Sequence, residues 1–290
     1  MKLATVLYEN QQYLGVVKNN TIDLYTDSEK SWTSVLDVID FGDKALEILA
    51  TSSAFKSVSL SDVVFLAPIP RPRSNVMCLG LNYAKHVDEN TKVLGREVSA
   101  PEFPIVFTKA PSAVNSAYGE IPLDFEISEK FDWEVELGII IGKTGKKIQA
   151  ENAFEHIFGY TIINDISVRD VQRRHKQFYL GKSFDGCCPM GPVVVTKDEI
   201  KDPHKLNILS RVNGEVQQSS NTKHMLFSIP EILMHLSKGR SLEVGDIIAT
   251  GTPEGVGVAQ DPPRFLRDGD ILESEIEQIG VMRNQARLSR

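Results

Sequence analysis

The chain has 290 residues, 41% hydrophobic and 24% charged, with a formal net charge of −7, which is the profile of an ordinary soluble globular protein with chain enough for one large domain and a small appendage. That acidic balance argues against a nucleic-acid partner, because such binding begins with phosphate neutralisation by a basic face. No apolar run approaches the roughly 20 residues needed to cross a bilayer, so no membrane partner is expected. The opening MKLATVLYENQQYLG lacks a long apolar stretch and does not read as a signal peptide. The cysteines are Cys78 and the adjacent Cys187 and Cys188, a usage that fits a reducing cytoplasm.

In chain order, LATVLY, YLGVV and TIDLY read as short strands, with Asn19-Asn20 as a hairpin turn. Trp32 to Leu49 carries apolar residues at spacings that predict two short helical pieces broken near Gly42. APIPRPRS, residues 67–74, holds three prolines and reads as a stiff linker, which divides the chain into a small N-terminal α/β domain at 1–70 and a catalytic-size domain at 71–290. Beyond it, NVMCLGL, PIVFTK, WEVELGIIIG, YTIIND, GPVVVT, NILSRVNG and DIIATG are strand-like and separated by turn residues. The clearest helix is SIPEILMHLSKG, with a capping box from Ser228 to Glu231 and a stop at Gly239. Few helices among many strands predict a β-rich α+β fold rather than a doubly wound sheet.

Two glycine patterns are decoys. GIIIGKT, Gly138 to Thr144, has three residues between its glycines where a phosphate-binding loop needs four. GTPEGVG, Gly251 to Gly257, lacks the dinucleotide-binding spacing, and reads as a loop where backbone can approach a ligand or as a plain wide turn. There is no C-x-x-C and no H-E-x-x-H, so zinc has no support.

In FDWEVELGIII, strand alternation points Glu134 and Glu136 to one face at the start of an apolar run. A solvated strand edge explains that pair about as well as a site does. Asp165 stands where the strand YTIIN meets ISVRDVQRRHKQF, a place for a helix cap or a binding residue. Three carboxylates converging on oxygen-only coordination suit Mg²⁺ or Mn²⁺.

The ordered motifs NYAKHVDE (82–89), FTKAPSAV (107–114), DWEVELGIIIGK (132–143), GYTIINDISVRDVQ (159–172), GKSFDGCCPMGP (181–192) and GDIIATGTPEGVG (245–257) make the chain resemble the fumarylacetoacetate-hydrolase family. The resemblance runs from about residue 68 to the C-terminus and is nearest to bacterial members with a short N-terminal domain, some of them oxaloacetate decarboxylases. It implies a β-roll in a homodimer, with Mg²⁺ or Mn²⁺ on Glu134, Glu136 and Asp165. It also implies Lys182 reaching the substrate, Thr252 near the substrate carboxylate, and a catalytic His86–Glu89 pair on a lid. Residues three apart share a helix face, so that pair can hydrogen-bond. Arg169 and Asp170 are expected as structural ion-pair partners and Gln172 as a residue facing substrate.

The chemistry so implied is metal-dependent cleavage of the carbon–carbon bond beside a small 2-oxo acid. Hydrolysis of an acylpyruvate or fumarylpyruvate-type 1,3-diketo acid is expected first, with His86 oriented by Glu89 activating water. Oxaloacetate decarboxylation shares most of the machinery and is the alternative. Isomerisation of a related dioic acid ranks below both, and a non-catalytic binding protein on the same fold is the reading from another class.

Overall fold

The computed structural model describes residues 1–25 and 32–289, and its architecture is α+β. The main sheet runs in the order Lys56–Ser59, Thr21–Tyr25, Gln11–Lys18, Lys2–Tyr8, Cys188–Thr196, Ile157–Asn164, Val135–Ile141, Ile247–Ala249, Val76–Gly80, Ile105–Lys109. Its axis is Val135–Ile141, buried at every position and paired antiparallel on both sides. Alternation sends Leu137, Ile139 and Ile141 into one apolar cluster and Ile140 into another across the sheet. Each such side chain contributes about 1.5–3 kcal/mol by leaving water. Gly138 lies within this strand because a Cβ there would come to 2.8 Å from both the Ile163 and Thr161 side chains. The glycine of the GIIIGKT pattern therefore serves close strand packing.

The first strand, Lys2–Tyr8, joins the sheet through Lys2↔Val195 and Leu3↔Val194. The N-terminal strands thus extend the same sheet as those that follow. The turn at Asn19-Asn20 forms as expected, with Lys18 opposite Thr21 and Asn19 at φ 44°. The proline-rich stretch packs rather than dangles: Ala67 and Ile69 are buried, and the Thr5 hydroxyl donates to the Pro68 carbonyl at 2.7 Å.

A second sheet has the order Glu215–Asn221, Asn207–Val212, Ile271–Ile276, Gly280–Leu288, Glu120–Leu123. Of these strands only Asn207–Val212 was named from sequence. Of the others, GVMRNQARL alternates buried with more exposed positions, while EVQQSSN is buried only at Gln218, so neither carries the apolar run that marks a strand.

The helices are α1 (Val35–Phe41), α2 (Asp43–Thr51), α3 (Ala84–Leu94), α4 (Arg169–Arg174), α5 (Tyr179–Lys182) and α6 (Ile229–Ser237). Gly42 separates α1 from α2, and the Ser228–Glu231 capping box opens α6, both as expected. α6 ends at Ser237, two residues before Gly239. α3 carries the NYAKHVDE motif and stops at Gly95, whose φ of 62° is the left-handed stop that glycine takes without steric cost.

Candidate active site and metal centre

The strand pairing brings three carboxylates together. Glu134 immediately precedes the Val135–Ile141 strand, Glu136 is its second residue, and Asp165 follows Asn164 on the paired strand. Asn164 fixes the corner: its Oδ1 accepts the Glu134 N–H at 3.0 Å, and the Asp165 N–H donates to the Glu134 carbonyl at 2.8 Å. The carboxylates of Glu134, Glu136 and Asp165 are buried, with ligand oxygens within 4.8 Å of one another. The solvated-edge alternative for the glutamate pair is thereby excluded.

Buried charge costs several kcal/mol per ion unless it is paired, and two of the three carboxylates are paired. Asp165 accepts from Lys109 Nζ at 2.7 Å and from Lys182 Nζ at 2.6 Å. Glu134 accepts from Lys182 Nζ at 2.7 Å, while Arg169 Nη2 meets its other oxygen at 2.7 Å as an ion pair without hydrogen-bond alignment. Burial would raise the Glu134 carboxyl, but Lys182 and Arg169 outweigh it and hold the group far below the usual carboxylate range. Burial would likewise lower the ammonium of Lys182, and Asp165 and Glu134 reverse that.

Glu136 is the exception. The Gly251 N–H donates to it at 2.7 Å, and among the described residues no lysine or arginine lies within ion-pair distance. Burial first, then Asp165 and Glu134, push its carboxyl well above the ordinary range. With Glu136 ionised, the buried network of Asp132, Glu134, Glu136 and Asp165 against Lys109, Arg169 and Lys182 would carry one uncompensated negative charge. A divalent cation answers that excess. The donor set is oxygen only, the kind that Mg²⁺ and Mn²⁺ prefer, and it is gathered on one buried corner. The residues fit Mg²⁺ or Mn²⁺, with Glu136 as the ligand that most needs it.

The GTPEGVG loop turns out to cradle the protein's own carboxylates. Besides Gly251 to Glu136, the Gly255 N–H donates to Glu89 at 2.7 Å, and those of Gly257 and Val258 donate to Asp132 at 2.7 and 3.0 Å. Gly251 and Gly255 have φ near +100°, and a Cβ on Gly255 would fall 2.0 Å from the Gln217 carbonyl. Asp132 also accepts from Arg169 Nε at 2.7 Å. The loop is thereby tied to the lid, to the metal cluster and to the arginine behind it.

His86 and Glu89 lie on α3, above the cluster. His86 Nδ1 is 3.1 Å from Glu89 Oε2 and Nε2 is 3.3 Å from Asn90 Nδ2, with the imidazole buried. Glu89 therefore divides its oxygens between the imidazole and the Gly255 amide. A cavity of about 170 Å³ joins lid to floor, lined by His86, Asn90, Glu134, Glu136, Arg169, Gln172, Lys182 and Thr252, with Leu94, Val98, Ile105, Phe107 and Phe178 as its apolar wall.

Each expected site residue except Glu89 and Asp165 lies on that wall, and those two sit directly behind it. Gln172 turns its Oε1 to Arg169 Nη1 at 3.2 Å, which leaves Nε2 as the group able to donate into the cavity. The Thr252 hydroxyl donates to the Val135 carbonyl at 2.9 Å and accepts from Gln218 at 2.7 Å. It has no proton left for a substrate carboxylate, so its contribution is wall and backbone. Arg169 is an ion-pair partner as expected, but Asp170 is not: it accepts from the Ser128 hydroxyl at 2.6 Å and the Val171 amide at 2.8 Å. The three cysteines are buried free thiols, Cys187 and Cys188 pushed up to about 12 by burial, and take no part.

Sequence reasoning missed Lys109, Asn90, Asp132 and Gln218. Lys109 had a signal, a lysine closing the strand PIVFTK within the FTKAPSAV motif. Gln218 had none, because it arrives from a polar strand of the second sheet.

Residues 75–287 match the profile of the fumarylacetoacetate (FAA) hydrolase C-terminal family. Over 98% of its length the chain is 42% identical to the oxaloacetate tautomerase YisK of Bacillus subtilis (strain 168), covering 99% of that protein. It is 43% identical over 94% of its length to a mitochondrial oxaloacetate tautomerase of Bos taurus, covering 87% of it. Among solved structures it resembles a fumarylacetoacetate hydrolase from psychrophilic Exiguobacterium antarcticum, with TM-score 0.84, 39% identity and full coverage of both chains. With the profile spanning most of the chain and relatives of this identity along nearly all of it, the chain belongs to the fumarylacetoacetate hydrolase family of enzymes.

Proposed function

We propose that this enzyme interconverts the keto and enol forms of oxaloacetate, with Mg²⁺ or Mn²⁺ on Glu134, Glu136 and Asp165. The observation that carries the reading is the pairing of one buried base, His86, with a cavity of about 170 Å³. That is below the roughly 300–1,000 Å³ of sites for drug-sized ligands and suited to a small dioate. The relatives at 42% and 43% identity, named oxaloacetate tautomerases, support it. Isomerisation, placed behind hydrolysis and decarboxylation on sequence, thus comes forward.

When bound, the cation supplies Lewis acidity toward the oxygens of a 2-oxo acid. The chain's own groups do the proton work. His86 Nε2, with Nδ1 held by Glu89, takes a proton from C3, and the electron pair moves onto the C2 oxygen. Lys182, buried among carboxylates, faces that oxygen with a positive charge, and Gln172 Nε2 can donate to a substrate carboxylate. His86 then returns its proton to the C2 oxygen, so the bond count closes without water or oxidant. Leu94, Val98, Phe107 and Phe178 keep water from the protonated base.

The apolar wall favours one second reading, hydrolysis of an acylpyruvate whose acyl tail lies against Ile105 and Phe178. The assay follows decay of the oxaloacetate enol absorbance, pyruvate formed from oxaloacetate, and loss of fumarylpyruvate absorbance. Enol decay at the non-enzymatic rate would overturn the tautomerase reading, and turnover of fumarylpyruvate alone would establish the hydrolase. Pyruvate formed faster than enol decays would make it a decarboxylase. A homodimer is also proposed, because Val64, Phe65 and Tyr118 line an apolar groove of about 650 Å³ with Val64 63% exposed. A light-scattering mass near 32.3 kDa would refute it.

A further inference from the structure

Asn90 stands one helical turn beyond His86, and both line the cavity. Its Nδ2 is 3.0 Å from the His86 carbonyl and 3.3 Å from His86 Nε2. A carbonyl only accepts, so that first bond decides which end of the amide is nitrogen, and the same nitrogen has a second hydrogen to offer Nε2 at 3.3 Å. On the other side of the ring a carboxylate oxygen of Glu89 faces Nδ1 at 3.1 Å.

These two neighbours select the same tautomer from opposite edges. A proton on Nδ1 donates to Glu89, and a bare Nε2 accepts from Asn90. The other tautomer would set a lone pair against a carboxylate and one N–H against another. We propose that Asn90 is a positioning residue: it holds the neutral imidazole with its lone pair on Nε2, the nitrogen that Glu89 does not engage, and covers that lone pair until substrate displaces the amide. The bond to be displaced is the longer of the two that Nδ2 makes. Once Nε2 carries a proton, the same amide N–H becomes a repulsive neighbour. Return of the proton to substrate is favoured, which a base that must give back its proton requires. The inference rests on His86 being the base of the proposed reaction.

The test uses the metal-loaded enzyme with ¹⁵N-labelled histidine, read by two-bond ¹H–¹⁵N correlation, with His86→Gln identifying the His86 signal. Wild type should show a proton on Nδ1 and none on Nε2. Asn90→Leu removes the donor and should give a mixture of tautomers, with kcat down about tenfold and KM nearly unchanged, the usual cost of losing a group that orients another. Asn90→Asp places a second carboxylate at Nε2 while Glu89 keeps Nδ1, so both nitrogens should carry a proton, and kcat should fall by about 10² or more because the base has lost its lone pair. Wild type with its proton on Nε2 would overturn the proposal. So would either variant keeping the wild-type spectrum, or the wild-type kcat. The spectra need no substrate. If they behave as expected while wild type leaves oxaloacetate enol untouched, the reaction assignment falls and the placement of the lone pair stands.

Discussion

The floor and the lid of this site are built on opposite principles. In the floor, Glu136 is 1% exposed and Asp165 fully buried, and the three carboxylates sit on or beside strands paired on both sides. The lid is the eleven-residue helix α3, with only His86 and Val87 buried, and it is fastened to the GTPEGVG loop by Glu89 to the Gly255 amide and by Lys85 to Glu254. A preorganised electrostatic floor stabilises developing charge only if it does not relax. A base that must meet and leave substrate needs an element of low local stability. On the proposed reaction, charge stabilisation falls to the floor and proton transfer to the lid.

That division breaks first at Glu136. Glu136→Gln keeps the shape but removes the one ligand with no cation of its own, so metal binding should be lost. Turnover should fall by about 10³ or more, the worth of several kcal/mol of Lewis-acid stabilisation. Calorimetric metal titration and initial rates check it, with circular dichroism to show the fold intact. Full activity in excess chelator would dissolve the distinction. His86→Ala should lower turnover by about 10²–10⁴ while leaving metal affinity unchanged. If the same variant weakens metal binding, floor and lid are not separate.

The floor also makes a pH prediction. The Glu136 carboxyl is raised by burial and by Asp165 and Glu134, so in the metal-free protein it favours its proton. A group with a raised folded value stabilises the fold at low pH, and that contribution is lost as pH rises through the folded value. Metal replaces the proton, so affinity should rise with pH, by at most about tenfold per unit for one displaced proton, and binding should release it. Titration in two buffers of different ionisation enthalpy measures the release. A pH-independent affinity between 5 and 8 would mean that Glu136 is already ionised without metal.

The floor was also the more legible half. Alternation in WEVEL and a strand-ending Asp165 are local signals, and the structure joins them through one pair of strands. Their surroundings were legible only in part: Arg169 and Lys182 were expected through resemblance. Lys109, from an edge strand, and Gln218, which reaches the Thr252 hydroxyl from the second sheet, meet the site with no local pattern to say so. The lid pair was visible only through resemblance, because a histidine in a polar stretch is more often a surface residue. Asp170 shows the cost of reading charge as pairing: next to Arg169 in sequence, it points to Ser128 instead.

The smallest expected effect concerns the fastening of the lid. Lys85 Nζ lies 3.3 Å from Glu254 at the rim, with the lysine side chain 76% exposed and the glutamate 23%. An ion pair so open to solvent is worth about 0–1 kcal/mol, since screening and side-chain entropy offset most of the attraction. Lys85→Ala should therefore shift the balance of open and closed lid by less than about fivefold, the ratio that about 1 kcal/mol allows. The change should appear as a faster opening rate or a slightly higher KM, with metal affinity untouched, and it should vanish in high salt where the pair is already screened. Glu89→Gln cuts deeper, because that carboxylate fastens the lid and orients His86 together, and its loss should persist at every ionic strength. Measuring both variants against salt separates a latch from a catalytic support. If Lys85→Ala matched Glu89→Gln at low salt, the rim pair rather than the Glu89–Gly255 bond would be what holds the lid closed.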